Sequence, residues 1–415
     1  MARQSSASLA VTLLCLAAPF AAHGQTAGLP QGPGQEMVQG MCTACHQVSQ
    51  IQNSSGYTQE GWRELILTMI DLSDSPEMET ITAYLATHFP ENSKRGPNLV
   101  SGEASIAFTE WKAPTLGQRS RDPVQASDGS IWWAGQWADL VGRVDPVTGE
   151  IREFPLPAGS KPHTVTADQD GNIWYTGNGN GTMGMLDPRT GEVTVYEMPD
   201  PAARDPHSAI VDEEGTVWFT LQQSNMIGRL IPETGEVELV IAPTESSRPY
   251  GIKLSSEGVP WVAANGSNRL YRIDPETMEI REYPLPDPDT TVRRLAFASD
   301  DTIWYVNSSQ GRLGHLDPET GEVREWDSPS GPDSHPYAIA VIDDVVWYNE
   351  SGKRPDTLVR FDPKTERFQS WAIPSGGIHA GIVRHMRPTR EGDLLIHQSS
   401  TNRVLLVDLE NAAAR

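Results

Sequence analysis

Asp212-Glu213-Glu214-Gly215-Thr216-Val217-Trp218-Phe219-Thr220, then Ile227-Gly228-Arg229-Leu230, then Thr234-Gly235-Glu236-Val237: this run is one copy of a unit that returns through most of the chain. Its general form is D-x-x-G-x-[IV]-W-[FY], a polar stretch, then [IL]-G-x-[LIV]-D-P-x-T-G-E-[VI] and an aromatic. The marker tryptophans are Trp132, Trp174, Trp218, Trp261, Trp304 and Trp347, spaced by 42, 44, 43, 43 and 43 residues. Leu395 takes the tryptophan place in a seventh, degenerate copy. Asp145, Asp187, Asp274, Asp317 and Asp362 open the D-P turn in five copies, and Ile231 replaces the Asp in a sixth.

A period near 43 with four short strands per unit is the signature of a β-propeller. In the second copy the strand candidates are His163–Ala167, Gly171–Thr176, Gly184–Asp187 and Glu192–Glu197. The seventh copy offers three, Ile382–Arg384, Leu394–His397 and Val404–Val407, before the sequence stops. Ala107-Phe108-Thr109-Glu110-Trp111 matches the fourth strand of the first copy, Ile151-Arg152-Glu153-Phe154. The expectation is a seven-bladed propeller over 107–410, closed by its N-terminal strand, which hides the open edges. A solenoid would need a cap at each end and leaves the displaced strand unexplained.

The first hundred residues differ. Arg3, the apolar run Leu9 to Ala22 and the small residues of Ala22-His23-Gly24 predict a signal peptide over 1–24, hence export and a periplasmic protein. Cys15 lies within it, which leaves Cys42 and Cys45, in Cys42-Thr43-Ala44-Cys45-His46. This is the C-x-x-C-H spacing of covalent haem attachment: two thioethers on one turn, with the next residue facing the iron. A redox disulfide would sit on a βα unit, and a zinc site would need a second Cys pair. Trp62, Leu65, Ile66, Met69 and Ile70 recur at helical spacing, with Thr58 as a cap. Ser75 and Pro76 open a further helix in which Met78, Ile81, Leu85 and His88 share a face. The span 32–93 resembles the compact class of bacterial cytochrome c domains, a small all-α unit, joined through a linker at 94–106. His46 is the first axial ligand candidate and Met69 the second, with Met78 and then His88 as alternatives.

Composition narrows the partners. Fifty-five acidic residues against 32 Lys and Arg give a net charge of −23, which argues against nucleic acid and against docking on an anionic membrane. Beyond the signal peptide no stretch is long and apolar enough to span a bilayer. The oligomeric state is not legible.

Val217-Trp218-Phe219-Thr220, Ile227-Gly228-Arg229 and Thr234-Gly235-Glu236-Val237 are similar to phrases of the virginiamycin B lyase family, also called streptogramin lyases. The resemblance covers nearly the whole propeller and implies elimination chemistry with a channel His and Mg²⁺ held by Glu residues. One such Glu is expected two residues before the His and another four after the Trp. The seventh copy has His379 in the His place, but Gly377 and Ser399 in the carboxylate places. The third has Asp205-Pro206-His207 with Gln222, and the sixth has His335, Tyr337 and Glu350 in another arrangement.

One position per copy is legible without the family. Ten or eleven residues before each Trp, at the start of the innermost strand, stand Arg121, His163, His207, Tyr250, Arg293, Tyr337 and, by loose alignment, His379. No carboxylate is among them, and Arg248 and Arg294 add to the positive field. Such a funnel concentrates an anion, and its imidazoles and phenols suit proton transfer. His163, His207, His379 and Tyr337 are therefore the catalytic candidates, and Arg121, Tyr250 and Arg293 the substrate-binding ones. Plain hydration of the channel is the bland alternative. A metal on His163, His207 and His379 is a third reading, limited by their spread over non-adjacent blades. The functional expectation is an exported mono-haem cytochrome in electron transfer, as carrier or oxidoreductase subunit, whose propeller binds a redox partner or small anionic substrate. A metal-dependent lyase is the alternative.

Overall fold

The computed structural model describes residues 28–44, 47–52, 54, 56–91, 95–374, 378 and 381–409. Within them seven four-stranded antiparallel sheets succeed one another around a ring. The first blade is Ser120–Gln125, Ile131–Gly135, Leu140–Val144 and Ile151–Pro155, from channel to rim. The seventh is Met386–Pro388, Leu394–Gln398 and Arg403–Asp408, completed by Ala107–Lys112 in register from Ala107 against Asp408 to Lys112 against Arg403. Ring closure by the displaced strand is thus as expected. The innermost strand of this blade is not: it is Met386–Pro388, beginning after the expected Ile382–Arg384.

The repeat consensus now has physical reasons. In two copies the aspartate of D-x-x-G-x-[IV]-W accepts the indole N–H of its own tryptophan, Asp168 from Trp174 at 2.9 Å and Asp212 from Trp218 at 2.8 Å, while in the first Trp132 donates to Ser130. The aspartate of the D-P turn caps two backbone N–H groups, as Asp145 does for Val147 and Thr148. In four blades the aromatic after the Trp and the Gly of the third strand are cross-strand partners: Trp133 faces Gly142, Tyr175 Gly184, Phe219 Gly228 and Tyr305 Gly314. In the fourth blade the pair is exchanged, Val262 facing Tyr271, so the shared volume is kept while the strands trade it.

Among the described residues four helices precede the propeller: α1 (Gln35–Cys42), α2 (Val48–Gln52), α3 (Gln59–Ile66) and α4 (Glu77–His88). Thr58 caps α3 as expected, its hydroxyl accepting from the Gly61 N–H at 3.0 Å. That helix stops at Ile66, so Met69 and Ile70 lie beyond it, and Ile70 is 51% exposed rather than on the buried face. Val38, Trp62, Leu65, Met78, Ile81 and Leu85 form one core, and Ile378 of the propeller packs into it. The 94–106 segment is tied to the rim of the sixth blade: Val100 and Ser370 exchange hydrogen bonds at 2.9 Å, and Ala104 does the same with Gln369.

The helices sit on the face where the innermost strands begin. Gly117, just before the first blade, donates its N–H to the Thr68 carbonyl at 3.0 Å. The Thr68 hydroxyl reaches the Ser400 carbonyl, and Arg354 donates its N–H to the Arg95 carbonyl. No helix among the described residues is long and apolar enough to cross a membrane. The signal-peptide segment lies outside the described residues.

The aromatic–glycine pairs set a stability test. A Cβ on Gly228 would lie 2.3 Å from the Phe219 ring. Gly228→Ala is expected to cost about 1–3 kcal/mol by overpacking, read as a lowered urea midpoint with unchanged m value.

Candidate functional site

The innermost strands carry a shared irregularity. In the first, third, fourth, fifth and sixth blades the register slips within the first residues, between Arg121 and Val124 and between Pro206 and Ala209, for instance. A bulge leaves residues unpaired and re-aims side chains. Here it gives the channel a second layer, one residue beyond the ring read from the sequence.

In the first layer the structure brings together most of the expected residues. His163 and His207 stand on neighbouring blades, not spread as expected, with ring centroids 3.6 Å apart. The stack continues to Tyr250 at 4.1 Å. Tyr250 then reaches Tyr337 by a direct hydroxyl–hydroxyl hydrogen bond. Arginines face these phenols: Arg294 lies 5.3 Å from the Tyr250 ring, and Arg293 and Arg384 lie 4.9 and 5.5 Å from that of Tyr337. Arg121 donates to Gln136 at 2.8 Å, but its Nε and Nη2 are buried without a hydrogen-bond partner, as is Nε of Arg293.

The seventh place belongs to Arg384. Met386 pairs with Ile396 as Ala209 pairs with Phe219, which puts Arg384 level with His207. His379 lies outside the described residues. The shift of the last inner strand explains why the loose alignment chose it.

The second layer holds what the sequence reading missed. Asp122, fully buried and in left-handed backbone at φ 45°, is its carboxylate. It accepts from the Thr164 hydroxyl at 2.6 Å and stands 3.6 Å from Arg294, 3.9 Å from His163 and 3.8 Å from His397. The available signal was its place directly after a ring residue, in a strand type that bulges.

The charge state follows from these neighbours. Burial pushes His163 and His207 well below the usual imidazole range, and Arg121 and Arg294 push them further. Both are neutral at pH 7, so the positive charge is carried by guanidinium groups. Burial, Arg121 and Arg384 lower even Arg119, to about 9. Burial and Tyr337 raise the Tyr250 phenol. Burial raises Tyr337 too, but Arg384, Arg293 and the Tyr250 hydroxyl outweigh it, and the net direction is down. Tyr337 is the more acidic of the pair, which suits it to holding negative charge.

The described residues do not fit the Mg²⁺ site that the resemblance implies. No group of three His, Cys, Asp or Glu converges among them. Glu350 is fully buried and committed to Ser328 and Ser330. Asp205 accepts from the backbone of Gln223 and Ser224, and Ser399 donates to the Ser120 carbonyl. At the helical end, Cys42 closes α1 and is half-buried against the same core as Met69. Met78 is 1% exposed inside that core. His88 stacks on Tyr84 at 4.5 Å. Cys45 and His46 lie outside the described residues.

The virginiamycin B lyase family model matches residues 100–354. The chain belongs to the virginiamycin B lyase family. A streptogramin B lyase structure superposes with a TM-score of 0.67 at 24% identity, covering 75% of this chain and 100% of that one. Virginiamycin B lyase from Staphylococcus aureus gives 0.65 at 22%, covering 74% and 100%. Hydrazine synthase from Kuenenia stuttgartiensis gives 0.59 at 12%, covering 71% and 96%. At these identities the likeness establishes the propeller and not a reaction. Comparison with curated proteins returns no match. The family match begins after the helices.

Asp122 is the most exacting residue of the site. Burial raises its carboxyl, but Arg294, Arg121 and His397 outweigh this and hold it below the usual range. Its stabilising contribution is therefore full above the unfolded-state value and is lost as pH falls through the lower folded one. Asp122→Asn is expected to cost about 3–5 kcal/mol at pH 7 by leaving buried cations unpaired. The deficit against wild type should narrow below about pH 4, as read by urea denaturation across pH.

Proposed function

We propose that this family member is an exported mono-haem c-type cytochrome, acting in periplasmic electron transfer as carrier or oxidoreductase subunit. On this reading its propeller channel binds a small anion or the edge of a redox partner. The observation that carries it is the seat of the helical segment. The segment bearing Cys42-Thr43-Ala44-Cys45-His46 is bonded through Thr68 to Gly117, two residues before Arg119 and the cationic mouth.

Cys42 and Cys45 would hold haem by thioethers, with His46 and Met69 as axial ligands. What supports this holding is that Cys42 and Met69 are both half-buried at one core, whereas Met78 is spent on packing. Bound haem supplies a one-electron couple. The chain's own part is to gather and orient. Arg121, Arg293 and Arg384 attract an anion to the mouth, and the unpartnered donors of Arg121 and Arg293 offer charge-assisted hydrogen bonds. Neutral His163 and His207 offer a donor and an acceptor each. The Tyr250–Tyr337 pair holds or passes a proton beside them.

Family membership favours a second reading, elimination with a divalent metal, although the described carboxylates are engaged elsewhere. The two readings separate on His46→Ala, which should spare a lyase and abolish electron transfer.

The primary test is the full chain, produced with haem-attachment machinery. A haem-stained band on a denaturing gel is expected for wild type, and none for Cys42→Ser. A colourless wild type would sink the cytochrome reading. Arg121→Gln is expected to weaken binding of a reducing anion by about 10- to 100-fold, the worth of a charge-assisted bond. The readout is anaerobic haem reduction against anion concentration.

A further inference from the structure

The channel carries charge at a depth where the fold asks for none. Counting from the marker tryptophans, the innermost-strand residue opposite each one lies at a common height. Five blades place Val124, Thr166, Ile210, Ala296 and Ala340 there. The fourth places Lys253 opposite Trp261, and the seventh places Arg387 opposite Leu395. These two blades stand across the ring from each other, three positions apart in a circle of seven. His385 stands just above Arg387; it is 4% exposed and its Nδ1 has no partner.

We propose that the channel holds a second anion site below the mouth, built by Lys253, His385 and Arg387, for a small oxyanion of the sulfate or phosphate kind. Arg387 is close enough to Lys253 to depress it. Burial, Arg387 and Arg294 lower Lys253 to about 7, and burial leads the fall of Arg387 to about 10, with Asp122 opposing it and Arg294 adding to it. Burial, Arg294, Arg387 and Lys253 hold His385 neutral. The acidic group beside the layer is Asp122, which is already shared between Arg294, His163 and His397. Half-buried Lys253 and Arg387 thus depend on one carboxylate already committed to other cations, which costs free energy, and a bound oxyanion with several acceptor atoms supplies the further negative charge.

A cavity opens one residue from Lys253. It lies on the face opposite the helices, at the channel end, has a volume of about 460 Å³ and is lined by Gln125, Ala167, Val211, Leu254 and Arg390. Leu254 follows Lys253 on the same strand. Asp168, Asp212 and Glu213 line the cavity too, and the first two are engaged with the indoles of Trp174 and Trp218. The Asp122–Arg294 pair lies between this site and the mouth, so an occupant need not meet the first layer.

The sign of the pH dependence follows. An anion favours charged Lys253, so binding takes up a proton and weakens as pH rises above the Lys253 value of about 7, by up to about ten-fold per unit.

The experiment is calorimetric titration of the full chain with sodium sulfate at fixed ionic strength, at pH 6 and pH 8.5. One saturable site is expected, tighter at pH 6. Arg387→Met should abolish it. Lys253→Met should weaken it at least ten-fold and remove the pH dependence. Arg121→Gln at the mouth should leave it intact. Equal binding by wild type and Lys253→Met, or loss confined to Arg121→Gln, overturns the site, as does no saturation at pH 6. Should Arg387→Met not fold, Lys253→Met decides alone. Haem content does not enter any of these outcomes.

Discussion

Ala107–Lys112 and Arg403–Asp408 pair across nearly the full length of the propeller, and the rest of the molecule hangs on that pairing. Closing so long a loop costs about 5 kcal/mol in chain entropy. Six paired residues and the packing of Phe108 against Leu405 and Val407 answer that cost, and no strand edge is left bare at the seam. The pairing also decides where the N-terminal segment can go. The chain leaves the closing strand and crosses to the first blade through Gly117, which lies over the mouth. Thr68 bonds to that crossing, so the helices are placed on the channel by the seam that shuts the ring.

The second constraint is electrostatic. The chain has a net charge of −23, yet its channel collects Arg119, Arg121, Arg293, Arg294, Arg384 and Arg387. Acidic residues crowd the outer turns, where Asp145, Asp187, Asp274 and Asp317 cap backbone groups in water. At physiological salt a surface charge is screened over about 8 Å, so the shell does little to an anion already in the channel. The arginines sit behind low-dielectric walls, where a charge acts further. An acidic exterior with a basic bore thus keeps the cationic groups inside, out of reach of a broad polyanion.

Much of this was legible. The tryptophan period announced the blades, and the truncated last copy with its match at Ala107 announced the closure. What sequence spacing misses is geometry within a strand. A period of 43 residues locates a blade but not a bulge, and the bulges bring Asp122 and Arg294 to the channel beside Arg121 and Arg293. The degenerate seventh copy hid its own register. Only the pairing of Met386 with Ile396 shows that Arg384, and not a residue further back, completes the ring. Helix α3 misled for a related reason. The periodicity of Trp62 to Ile70 continues past Ile66, where the helix stops and the chain turns to meet Gly117. Tertiary contact overrode the local pattern there.

The two layers of the channel answer opposite requirements. In the first, Tyr250 and Tyr337 close onto each other across the bore, so the mouth is lined with groups that share protons and guanidinium groups that stabilise whichever phenol gives one up. In the second, Asp122 is the counter-charge for Arg294, and the Thr164 hydroxyl takes up one of its oxygens. Its Oδ1 has no hydrogen-bond partner, but drawing the carboxylate into proton transfer or onto a metal would strand the arginine. It acts instead as the keystone that lets several cations be buried together. The proposed binding of an anion therefore rests on the layer above it, where Arg121 and Arg293 have donors without partners and where the helices stand.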